Sequence, residues 1–223
     1  MIEVARRYTL GFELYDLATS IVRSHAVDSD EAVAGLLVLL LCWNIDYYRR
    51  RMKSTGLSFK YVDEHVKCLR EAVRRNRGLI EELRRKRLEV VDFNEPLMGR
   101  EFTVGDAIRH LFEDFRAFLG PTGASKVLHL LVPSLIVMWD TKIRQHYGLP
   151  SDGAAFLDFH RIMHEELRQA LETYIEEHGG TMVEAARSIL YERYEGSTER
   201  PITKVLDEYN WVIACHGKGA VLR

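Results

Sequence analysis

Apolar residues recur along this chain at three- and four-residue spacing, the period of helices that bury one face. Nowhere do they alternate with polar residues over the length of a strand bounded by hairpin turns. The pattern predicts an all-α fold of about ten helices. These form either one globule over 1–223 or two closely packed helical lobes, 28–150 and 1–27 plus 151–223. Start signals punctuate it. Asp28 or Ser29 precedes a run reaching about Lys53, and Ser58 opens another through Arg75. Thr103 with Asp106 and Thr181 with Glu184 have the capping-box spacing. Gly179-Gly180 ends a long helix, and Pro201 stands where a first-turn proline starts the closing one, through about Ala214. Irregular stretches fall at 88–102 and 148–153, and the last residues, from His216, are expected to fray.

The most apolar run, AVAGLLVLLLCW at 32–43, is too short to cross a bilayer, which takes ~20 residues. It reads as a buried helix, and no membrane partner is expected. The N-terminus has neither a basic leader nor a small-residue cleavage site. Cys42, Cys68 and Cys215 are too few and too scattered for a disulfide framework or a thiolate cluster. A cytoplasmic protein without metal or cofactor is the expectation. At 47% apolar and 29% charged residues the chain can bury a sizeable core.

Net charge is only −2, but its sign is segregated. Residues 49–87 hold fourteen Lys or Arg against five acids, whereas 151–210 hold thirteen acids against six bases. A polyanion-facing surface explains that asymmetry, and Arg84, Arg85, Lys86 and Arg87 are its densest cluster. Solvated helix faces laced with ion pairs, as in a heat-adapted protein, explain it equally.

The segment LGPTGASKVL at 119–128 punctuates two helical patterns. Gly120 supplies a positive φ, Pro121 opens a helix and Ala124 allows close crossing. The amides of Thr122, Gly123 and Ala124 then lie at a helix N-terminus, a phosphate-binding arrangement without base preference. Asp140, sixteen residues after Ala124, follows the run LIVMW and begins Asp-Thr-Lys-Ile-Arg. It reads as a helix cap, alone or combined with chemistry.

These residues resemble the helix-hairpin-helix DNA glycosylase superfamily, in its endonuclease-three-like branch. Gly120 and Ala124 keep the four-residue glycine-to-alanine step, and Asp140-Thr141 echoes the aspartate motif, with Arg144 one place early. The resemblance covers about 35 residues and implies a helix-hairpin-helix-like element at 106–132, DNA as partner and base excision in DNA repair at Asp140. Phe118 replaces the first hairpin glycine, and Thr122 stands where bifunctional members carry their lysine. The implied enzyme is therefore a monofunctional N-glycosylase, with Lys126 one helical turn further along the same face. Asp140 and Lys126 are the implied catalytic residues. Gly120, Thr122, Gly123, Ala124, Arg144 and the 84–87 cations are the implied contacts to nucleic acid.

Other patterns admit two readings. His160 and His164 share a helix face at a zinc-chelating spacing or form a partly buried polar face. Trp43, Tyr47 and the following arginines make a stacking platform or a core edge. The helix from Lys204 to Trp211 reads as amphipathic closure, with no chemistry assigned. A different class fits the whole chain too: a non-catalytic helical interaction protein, such as a homodimer, whose glycine bend merely joins helices.

Overall fold

In the computed structural model the described residues are 1–223 apart from 9–11, 56–58, 98–101, 197–198 and 217–223. Ser58 and the final tail, on which two of the boundary expectations rest, lie outside them. Ten α-helices and one short 3-10 turn at Leu88–Val90 make up the regular structure, and no strand is formed among the described residues. The all-α expectation holds.

Local signals set most helix starts. Helices α1 (Ile2–Ala5) and α2 (Phe12–Ser24) lead into α3 (Asp30–Trp43), where the Ser29 hydroxyl accepts from the Ala32 amide. Thr103 and Asp106 form the capping box of α6 (Val104–Leu131), and Thr181 and Glu184 that of α9 (Met182–Arg193). Each box satisfies donors the first turn leaves unpaired. Asp140 caps α7 (Thr141–His146), Asp152 caps α8 (Gly153–His178), and Gly179 at φ 76° ends α8. The closing helix α10 (Ile202–His216) follows Pro201.

Two expectations are corrected. The run from Ser29 does not continue to Lys53. It stops at Trp43, and α4 (Ile45–Thr55) begins after Asn44, whose backbone leaves the helical region at φ −125°. The Trp43 carbonyl is taken instead by the Lys126 ammonium, so the break is stabilised from 83 residues away in sequence. The expected hairpin at 106–132 is a one-residue bend: α6 is helical on both sides of Gly120, whose φ of 70° and ψ of 168° lie where essentially only glycine goes. Proline at 121 cannot donate back into the preceding turn, and its fixed φ restarts the helix. Gly120→Ala should therefore cost about 1–3 kcal/mol, read as a lower urea midpoint with an unchanged slope.

A single apolar cluster runs from Ala5 to Leu206, through both of the stretches considered as lobes. Its centre is aromatic. Phe112 stacks on Phe156 at 4.1 Å between centroids, and Trp139 packs against Phe112, Phe156 and Phe159 at 5.1–5.6 Å. The long helix α5 (Phe59–Leu83) packs along α6. The link between α6 and α7, residues 132–140, is irregular yet buried through Trp139.

That buried link needs partners for its backbone, and side chains supply several of them, among them Thr203, whose hydroxyl donates to the Pro133 carbonyl. The Ser125 hydroxyl donates to the Trp139 carbonyl at 2.8 Å. His160 accepts the Val137 amide at Nε2, 3.0 Å, while its Nδ1 meets the Phe156 carbonyl at 2.7 Å. His129 meets the Ile136 carbonyl through Nδ1 at 2.6 Å and takes the Tyr15 hydroxyl at Nε2, 2.8 Å. Together these contacts aim Trp139 and Asp140 at the site described next.

Candidate functional site

The C-terminal part of α6, the end of the 132–140 link and α10 enclose a pocket of about 260 Å³. Tyr8, Trp43, Trp139 and Trp211 form aromatic walls; Met138 and Ile143 add apolar surface; Lys126, Asp140 and Asp207 bring charge. Larger openings along α2, near Arg200, are lined by Asp16, Glu199 and Arg200 in salt-bridged surroundings. The smaller pocket is the better chemical candidate, because an amine and two carboxylates converge there in apolar surroundings.

Lys126 projects from the half of α6 that follows the bend. Its ammonium donates to the Trp43 carbonyl and lies 5.9 Å from the centroid of that indole. Burial disfavours the charged form and pushes its pKa down to about 8; Asp207 and Asp140 oppose the fall, and Lys204 adds to it. Roughly a tenth of such amines are neutral at pH 7, far more than for a solvated lysine. Asp140 accepts the Ile143 amide at 2.9 Å through Oδ1, so it caps α7 and borders the pocket at once. Trp139 is 1% exposed, and its indole N–H has no hydrogen-bond partner among the described residues.

Helix α10 contributes what the sequence reading did not anticipate. Lys204, Glu208 and Asn210 are fully buried and Asp207 is 8% exposed. Glu208 binds Arg193 of α9 at 2.8 Å, accepts from the Tyr194 hydroxyl at 2.9 Å and lies 3.7 Å from Lys204. The amphipathic pattern of 204–211 marks which face turns inward, but charged residues on that face look like solvated ones until their partners are known.

The other expected site residues disperse. Gly123 and Ala124 are buried and Thr122 half-buried, because the bend packs on the α3–α4 junction: a Cβ at Gly123 would lie 3.2 Å from Asn44 Nδ2 and 3.7 Å from Leu40. The Tyr47 hydroxyl donates to the Phe118 carbonyl just before Gly120. Arg144 donates to the Leu149 carbonyl at 3.0 Å. Arg84 turns to the Leu131 carbonyl at the end of α6, 2.7 Å; Lys86 pairs with Glu95 and Arg87 with Glu89, each at 2.5 Å. Alone of those four, Arg85 is exposed. Arg75 and Arg77 pair with Asp114 and with Asp28 and Glu81. Much of the basic stretch is thus engaged within the molecule, although the side chains of 51–61 lie outside the described residues.

The histidine pair does not form a chelate. Both ring nitrogens of His160 are engaged by backbone groups, and His164 Nδ1 meets the Leu88 carbonyl at 2.6 Å. Among the described residues no group of three or more His, Cys, Asp or Glu is placed to hold a metal ion, and no helix is long and apolar enough to cross a membrane. No family model, curated protein or solved structure matches this chain.

Proposed function

We propose that the pocket receives a flat nitrogenous ring, a nucleobase turned out of its stack, and that Lys126 and Asp140 act on the glycosidic bond it carries. One observation carries this reading: an amine whose charged form burial disfavours and a carboxylate, fourteen residues apart in sequence, line one indole-walled cavity. Indole faces stack on any base, and a few kcal/mol of unstacking are recovered inside such a cavity. Asp140 is suited to stabilise oxocarbenium character at C1′ as the base departs. A neutral Lys126 amine forms the new C–N bond at C1′ as the glycosidic C–N bond breaks; the surplus proton on its nitrogen passes to the departing base, and cleavage of the C1′–O4′ bond, with O4′ taking up a proton, then leaves the imine.

This reading departs from the monofunctional expectation drawn from Thr122. Lys126 reaches the same pocket from one turn further along, and an amine there permits a trappable covalent adduct. Exposed cations flank the pocket in sequence: Arg49 and Arg50 on α4 after Trp43, and Lys142 beside Asp140. The reading assigns the sugar-phosphate contacts to them rather than to 84–87 or the buried bend.

A panel of duplexes bearing oxidised, deaminated or alkylated bases tests this, with borohydride present to reduce any imine. Excision of at least one base is expected, with an adduct on Lys126. Asp140→Asn should lower the excision rate at least a hundredfold while duplex affinity stays within about threefold, the signature of a group that acts in the transition state. Absence of both excision and salt-dependent binding across the panel removes the reading. It would favour a helical interaction protein, the class consistent with the internally paired cations.

A further inference from the structure

Glu89 is a buried acid with half of its bonding unmet. It stands in the 3-10 turn at Leu88–Val90 with its side chain fully buried, and Arg87 Nε donates to its Oε1 at 2.5 Å. Its Oε2 is buried too and has no donor among the described residues. A half-satisfied carboxylate out of water costs free energy that an apolar residue would avoid. Glu89 lines a second cavity, of about 220 Å³, which shares no residue with the one around Lys126. Bonds between distant segments hold its walls. The Leu88 amide donates to the Ser134 carbonyl at 2.9 Å, the Thr203 hydroxyl donates to the Pro133 carbonyl, and Arg23 of α2 donates to the Glu199 carbonyl at 2.8 Å. Leu190 and Ile202 give the cavity apolar surface, and Arg200, itself held by Asp16, closes another side.

We propose that this cavity binds a short-chain α-amino acid, whose ammonium donates to Glu89 Oε2 and whose carboxylate faces Arg23 and the start of α10. The two ends follow from the two kinds of group in the wall. A buried carboxylate oxygen without a donor calls for an N–H group. The opposite requirement comes from the arginines and the helix. Arg23, Arg87 and Arg200 outnumber the acids Glu89 and Glu199 in the lining, and guanidinium groups bind carboxylates through paired N–H donors. Pro201 and Ile202 bring the first turn of α10 to the same cavity; its leading amides have no acceptor inside the helix, and its dipole favours negative charge. A simple anion would leave Glu89 unmet, and a simple amine would leave the arginines and the helix start unused. The volume lies below the ~300–1,000 Å³ usual for drug-sized ligands, so the guest is compact, its short side chain lying against Leu190 and Ile202.

Isothermal titration calorimetry of the intact protein tests this, with glycine, L-alanine and L-serine as ligands beside propionate and ethylamine, which each keep one end only. At least one amino acid should bind, about tenfold or more tighter than either one-ended analogue, and should raise the thermal midpoint. Glu89→Gln keeps the size but removes the charged acceptor, and should weaken binding by about tenfold or more, the usual cost of losing a hydrogen bond to a charged group. Arg23→Gln, at an exposed position, should weaken it in the same direction. If Glu89→Gln fails to fold, Arg23→Gln and the comparison of alanine with ethylamine and propionate still decide the matter. No binding of any of the three amino acids, an affinity that both variants leave unchanged, or an analogue that binds as tightly as the amino acid overturns the proposal. Because no nucleic acid enters, this site and the excision reading stand or fall separately.

Discussion

Glu208→Ala should lower the unfolding free energy by about 3–5 kcal/mol, a large share of the about 5–15 kcal/mol typical of a domain. The reason is the company it leaves behind. Arg193, its side chain 9% exposed, donates to Glu208 and also to the carbonyls of Ala5 and Tyr8, so this one carboxylate balances the cation that ties α9, α10 and the N-terminal segment together. Removing it strands a buried guanidinium and withdraws the Tyr194 hydroxyl's acceptor. Urea unfolding of Glu208→Ala beside Arg193→Met/Glu208→Leu separates this effect from lost packing. The double variant leaves no uncompensated ion and should recover more than half of the loss. If the two unfold alike, the charge balance is not what matters.

Acidification should destabilise the protein just as strongly, through His129 and His160. Burial pushes both imidazoles down to about pKa 4, whereas an unfolded histidine titrates near 6.5. The folded-state values are the lower ones, so between these limits the unfolded chain binds more protons and stability rises with pH. The contribution is complete above about pH 6.5 and is lost as pH falls toward 4, by about 3 kcal/mol per histidine. Geometry agrees with the direction: a protonated His160 would turn a second N–H toward the Val137 amide, which already donates to it. Urea midpoints at pH 7 and pH 4.5 should therefore diverge widely in the wild type. His160→Gln keeps an acceptor but no titrating ring, and should reduce that divergence by about half. Parallel behaviour of the two proteins would show that the acid sensitivity arises elsewhere.

Both predictions involve residues whose roles could not be inferred from their neighbours in sequence. In sequence His160 stands four positions before His164, a spacing that suits a chelate or a polar face. Its actual partner is the 132–140 link, whose irregular backbone required an acceptor at Val137. Glu208 and Lys204 looked like the polar side of a closing helix. By contrast, Asp140 was legible as a cap because the evidence lies within three residues: an apolar run before it, helix formers after it, and an amide at the right reach. Lys126 shared a helical face with the residues of the bend, but nothing in its surroundings showed that Trp43 would be its acceptor.

Local sequence suffices for the all-α class, most of the helix starts, the capping boxes at Thr103 and Thr181, and the positive φ at Gly120 before Pro121, though not for the hairpin expected around it. Those features depend on backbone preference and on hydrogen bonds spanning a turn or less. Tertiary structure alone decided that α3 stops at Trp43, that Arg84 satisfies the Leu131 carbonyl, and that Lys126, Asp140 and Asp207 share one cavity. Each of these brings together groups that are far apart along the chain, and their electrostatics depend on how much water is excluded around them. Neither distance nor desolvation is written in the spacing of residues; both arise only when the apolar faces close on one another.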